Sequence, residues 1–238
     1  MAYNSEDMSE KFDAIYKMLW DTSYDAVSQG EIDIDRFISN PHADQRRGLT
    51  LIIRPPVELR RAILTFLDEL RQIEPGQYYY PESDLHFTVL SLFTATVDYQ
   101  QEYDRLIEYQ AAVESTLRGV PQFEFRVSGL TASKCAVMLC GYPLPDDLNV
   151  IRNALRQNLI QSGLAQGLDK RYVLTAAHTT VMRYSHPLAN PAGLAQFLQE
   201  NKHRSFGKFA VKELDLVKND WYMTEHNTEH IQRYPLGQ

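Results

Sequence analysis

The chain has 238 residues, 44% hydrophobic and 23% charged, the balance of a soluble globular protein with room for a sizeable core. Its net charge of −7 argues against a protein that coats long nucleic acid, since phosphate contacts need local Lys and Arg, but leaves space for a small basic pocket. No apolar run approaches the roughly 18 residues of a membrane span, and the acidic start "MAYNSEDMSEKFDAIY" lacks a signal core, so a cytoplasmic protein without membrane contact is expected.

Met8, Phe12, Ile15 and Leu19 recur at helical spacing between about residues 7 and 28. A polar stretch broken by Gly30 and Pro41 follows, so residues 1–46 read as an N-terminal helical extension and connector lying on a main body of 47–238. "LTLII" (Leu49 to Ile53) is a short apolar strand, and Pro55-Pro56 suits the start of a helix with Leu59, Ile63, Phe66, Leu67 and Leu70 on one face. An extended run containing His86 comes next, then a helix across Tyr103, Leu106, Ile107, Val113 and Leu117. "FEFRVSGL" and "CAVMLCGY" read as paired strands. "PDDLNVIRNALRQNLIQSG" is a helix with an acidic first turn and a stripe at Leu148, Ile151, Leu155 and Leu159. The run containing His178 follows, then a helix capped by Asn190 with Pro191 at its first position. "FAVKELDLV", "DWYM" and "HIQRYPL" read as closing strands. Cys135 and Cys140 fall five apart in one strand and point to opposite faces, so they are expected as small buried thiols rather than a disulfide or metal pair.

Each histidine run is preceded by one helix and followed by another, twice along the chain. That weak repeat predicts an α+β fold of two lobes, with antiparallel-rich sheets flanked by helices around a central cleft.

"DLHFTVLSLF" and "TAAHTTVMRY" each place a histidine and a threonine two residues apart inside an apolar run. In a strand, residues i and i+2 share a face, so His86 with Thr88, and His178 with Thr180, each present an imidazole and a hydroxyl in one direction. His203 and His226 also precede a Ser or Thr by two, but they sit in polar, turn-like segments and read as solvated, and His186 before Pro187 reads as a turn residue. Two imidazoles facing one space can divide proton transfer, one accepting and one donating. Hydroxyls beside them can donate to phosphate oxygens. In-line hydrolysis of a phosphodiester needs that division of labour and requires no metal or cofactor.

The paired "HFTV" and "HTTV" resemble the signature motifs of the 2H phosphoesterases, the superfamily of 2′-5′ RNA ligase-like proteins and cyclic phosphodiesterases. "LTLIIRPP" and "AVKELDLVKNDW…HIQRYPL" extend the resemblance over roughly residues 47–237. The resemblance implies that His86 and His178 are catalytic and that Thr88 and Thr180 bind phosphate. It implies a nucleotide or short RNA end as substrate: a 2′,3′-cyclic phosphate, a cyclic nucleotide or a 2′-5′-linked oligonucleotide. No cofactor and no protein partner is implied. The first motif departs from the ligase-like form in lacking the glycine that commonly follows. Arg183 matches a basic residue found in ligase-like members, although an offset of five from His178 points away from the cleft unless a bulge intervenes. Tyr80, in "QYYYPESD", and Trp221 are further candidate substrate contacts through base stacking. The alternatives are a catalytically silent module that binds a nucleotide or RNA end in the same cleft, and a structural protein with coincidental core histidines.

Overall fold

The computed structural model describes residues 5–38, 40, 43–144, 147–170 and 173–238, with the side chains of 5–9 and 147 outside that description. Met8 of the helical stripe, Pro41 of the connector and the acidic turn of residues 146–147 therefore lie outside the described side chains. In chain order the elements are α1 (Ser5–Ser28), β1 (Arg47–Ile53), α2 (Val57–Ile73), β2 (Tyr78–Tyr79), β3 (Phe87–Thr96), α3 (Gln100–Tyr103) and α4 (Leu106–Leu117). They continue as β4 (Phe123–Ser133), β5 (Ala136–Leu144), α5 (Asp147–Gln161), β6 (His178–Arg183), α6 (Pro191–Asn201), β7 (Ser205–Val211), β8 (Glu213–Asn219) and β9 (Glu229–Pro235). No described helix is long and apolar enough to cross a membrane.

Two antiparallel sheets carry the two histidine motifs. The first has the order β3-β1-β8-β9 and the second β2-β6-β5-β4-β7. Alternation decides which side of each sheet is dry: Phe87, Val89, Leu49 and Leu51 point one way in the first sheet, and Phe125, Val127 and Val181 do so in the second. These faces meet in a single core, with the Phe87 and Phe125 rings 4.7 Å apart. The α+β, two-lobed expectation therefore holds, with both lobes built on one shared interior.

Several local expectations need correction. The helix read from Tyr103 to Leu117 is two helices, and Ile107 is 81% exposed, off the buried stripe. "FAVKELDLV" divides at Lys212, because its halves pair in different sheets, and "DWYM" is a turn held by the Asp220 carboxylate rather than a strand. Cys140 is buried but Cys135 lies exposed in the turn between β4 and β5.

One side chain links the motif strands. Arg152 occupies a position of the apolar stripe on α5, four after Leu148 and three before Leu155, and is fully buried. Its guanidinium donates to the carbonyls of Thr88 (3.0 Å) and Val89 (2.7 Å) in β3, and to those of Thr175 (3.1 Å) and Ala176 (2.8 Å) just before β6. Strand β3 is an edge strand, so its outward carbonyls have no ladder partner and the planar fork supplies one. Arg152→Met keeps the stem and removes the donors, which leaves buried carbonyls unpaired. Urea denaturation is expected to show a loss of about 3–5 kcal/mol; a loss under about 1 kcal/mol would mean that those carbonyls find other partners.

Candidate active site

His86 stands immediately before β3 and His178 opens β6. His86, Thr88, His178 and Thr180 are all half-buried, whereas the intervening Phe87 and Thr179 are buried. Each His–Thr pair thus faces the open side of its sheet. The charge of one ring is felt by the other: His178 lies close enough to help depress the pKa of His86. Arg152 ties β3 to the residues just before β6, so the two motifs stand beside one another.

The fourth motif residue has a structural meaning that its apolar character hid. In the β1–β3 ladder Thr88 pairs with Ile52 and Leu90 with Leu51, so Val89 is an extra, bulged residue. In the β5–β6 ladder Thr180 pairs with Met138 and Met182 with Val137, so Val181 is bulged as well. The first bulge frees the Val89 carbonyl for Arg152. The second shifts the parity of β6, so that Arg183 returns to the side of His178 and Thr180. Arg183 also contributes to depressing both histidines.

Burial pushes both histidines down to about 4, the largest cause in each case. For His86 the field of Arg54 adds to this, and for His178 that of Arg152. One contact acts the other way: His86 Nδ1 lies 2.7 Å from the Asp84 carbonyl, which can only accept, so Nδ1 carries a hydrogen and Nε2 is left for chemistry. His178 Nδ1 is buried with no hydrogen-bond partner. Arg54, one residue beyond the Ile53–Phe87 pair, donates to the Ser83 carbonyl at 2.8 Å and fixes the loop that delivers His86. A cavity of about 990 Å³ begins at Arg54 and runs over β8 and β9, lined by Asp215, Val217, Thr228 and His230; neither catalytic candidate lines it.

The aromatic candidates divide. Tyr80 is buried, and its hydroxyl accepts from Arg183 Nε at 2.9 Å, so it positions the arginine and is not open to a base. One face of Trp221 is covered by the Arg46 guanidinium at 4.4 Å. Tyr78, which pairs with Arg183 across the β2–β6 ladder, is the half-exposed ring on the cleft side. His203 and His226 are exposed, as is His186.

Residues of the N-terminal segment also reach the site. Thr131, which pairs with Met138, donates to the Tyr16 carbonyl, so α1 lies across the face of the second sheet that carries Thr180. The Tyr16 hydroxyl donates to the Gly141 carbonyl at 2.8 Å and accepts from the Ala177 amide at 3.0 Å, one residue before His178. Gly141 is required there, because a Cβ would lie 2.1 Å from the Ala177 carbonyl oxygen. Among the described residues no group of three or more His, Cys, Asp or Glu is placed to hold a metal ion.

A family model described as the 2′-5′ RNA ligase superfamily matches residues 55–221. None of the curated proteins matches the sequence. Among solved structures the chain resembles TT0787 of Thermus thermophilus, at 17% identity and TM-score 0.58, covering 80% of this chain and 98% of that one. It also resembles E. coli LigT complexed with phosphate, at 16% identity and TM-score 0.54, covering 82% and 99%. A third likeness is to the conserved protein ATU0111 of Agrobacterium tumefaciens str. C58, at 15% identity and TM-score 0.55, covering 87% and 97%. At these identities the likeness is one of fold.

The depressed histidines give a direct measurement. In the free protein the ring protons of His86 and His178 should titrate by NMR with midpoints near 4 instead of the ordinary 6.5. Because the unfolded chain takes up those protons first, stability should fall as pH drops from about 6.5 towards 4. Midpoints near 6.5 for both rings would refute the buried, neutral pair.

Proposed function

The chain belongs to the 2′-5′ RNA ligase superfamily, and on that premise we propose that it is a metal-independent, cytoplasmic phosphoesterase acting on 2′,3′-cyclic phosphate ends of RNA, cyclic nucleotides or 2′-5′-linked oligonucleotides. What supports this reading is that two half-buried His–Thr pairs stand on the open sides of two sheets that share one core, with Arg183 on the side of His178 and Thr180. The scissile phosphate sits between the imidazoles, with Thr88 and Thr180 donating to its non-bridging oxygens. Arg183 adds a fixed positive charge.

In hydrolysis of a cyclic phosphate His178 takes the proton of the attacking water, and His86 gives one to the departing ribose oxygen. The P–O bond to that ribose oxygen breaks as the P–O bond to water forms, and the product is a phosphomonoester. The division of roles follows from the hydrogen bonds. A general acid must carry both ring hydrogens, and His86 has the Asp84 carbonyl to accept the second. His178 has no such acceptor and stands in the field of Arg152, so it is favoured as the neutral base. Burial keeps both rings neutral in the free protein, and the anionic phosphate supplies the countercharge that lets His86 hold its proton. In the reverse, ligating direction the two rings exchange roles.

The test is turnover of 2′,3′-cyclic nucleotides and linear 2′-5′ dinucleotides without added metal. His86→Ala and His178→Ala should each lower kcat by roughly 10²–10⁴-fold, with unchanged thermal melting. Full activity in either variant on a verified substrate would sink the two-histidine mechanism.

A further inference from the structure

The carboxylate nearest to Arg183 comes from outside the stretch that the family model matches. Asp35 lies in the connector after α1, upstream of residue 55. Its Oδ2 is 3.9 Å from Arg183 Nη1, and both side chains are largely buried, 15% and 16% exposed. Asp35 cannot swing aside freely. Its amide donates to the Tyr184 carbonyl at 2.9 Å, and the Tyr222 hydroxyl donates to its Oδ1 at 2.7 Å. Arg46, the other cation whose field reaches Asp35, is already committed to Asp44 by two bonds of 2.8 and 2.7 Å. The pair at 3.9 Å is loose, so Arg183 keeps donors for a ligand while its charge is cancelled locally.

We propose that Asp35 is a specificity-determining residue that makes the cleft prefer a phosphodiester monoanion over a phosphomonoester dianion. This rests on the reading of the cleft as a phosphodiesterase site with Arg183 beside the phosphate. The substrate of such a site carries one negative charge on its reacting phosphorus. Its product, a terminal monoester, carries close to two above pH ~6. Without Asp35, Arg183 would hold the product more tightly than the substrate and hydrolysis would stall on its own product. With the carboxylate fixed beside the guanidinium, the second charge of the product meets repulsion that the substrate feels only once. One additional unit charge a few ångströms away in a partly screened site corresponds to a roughly five- to tenfold change in affinity.

The experiment compares two ligands that differ in charge and one methyl group. A 2′-deoxynucleoside 3′-monophosphate and its methyl ester both lack the 2′-hydroxyl needed for cyclisation, and calorimetry at pH 8 gives a Kd for each. Asp35→Asn keeps the side-chain shape and still accepts from Tyr222. It should tighten the monoester by roughly five- to tenfold more than the methyl ester. Asp68→Asn removes one charge from an exposed pair with Arg71 on α2 and should leave the ratio of the two Kd values unchanged. An unchanged ratio in Asp35→Asn, with cyclic nucleotides still turned over, overturns the role of Asp35 alone. A shifted ratio with no turnover of any phosphodiester upholds charge selection at this site and overturns the catalytic reading.

Discussion

A single buried guanidinium sets the spacing on which the site depends. Arg152 bonds to main-chain carbonyls of β3 and to those just before β6, so both strands are referenced to one rigid, planar group. Burying a cation is costly unless its donors are satisfied. Here they are satisfied by backbone that would otherwise be unpaired, at an edge strand and at a bulge. The same charge acts on the site's electrostatics, since it helps keep the His178 ring neutral. Structure and electrostatics are thus tied to one residue.

The second constraint comes from the front of the chain. Helix α1 packs on the cleft-facing side of the second sheet, and Tyr16 ties Gly141 to the residue before His178. The connector then passes the end of β6, where Asp35 meets Arg183, and reaches the turn after β8 through Tyr222 before entering β1. A segment that stands outside the family match therefore packs on the second sheet and brings a carboxylate to Arg183.

Much of this was legible in the sequence, for physical reasons. Period-two alternation around His86 and His178 identifies side chains that share a face, and most helices announce themselves by stripes, prolines and the Asn190 cap. Arg183 could be placed only conditionally, because a bulge is a property of pairing between strands and Val181 looks like any other strand valine. The burial of Tyr80 is hidden for a related reason: three consecutive tyrosines give no sign that the two in a short strand stay half-exposed while the next one is buried. Arg152 left a trace, a cation on an apolar stripe, which ordinarily reads as a side chain that reaches out to water. Tyr16 and Asp35 left none, since their partners lie more than a hundred residues away in the chain.

The corner between β7 and β8 bears on how ligands come and go. Two consecutive strands enter different sheets with only Lys212 between them, and the walls they belong to rest on a common interior. Such a joint leaves no slack for the jaws of a clamshell. A ligand of that groove would then enter and leave over its rim, past side chains and the connector.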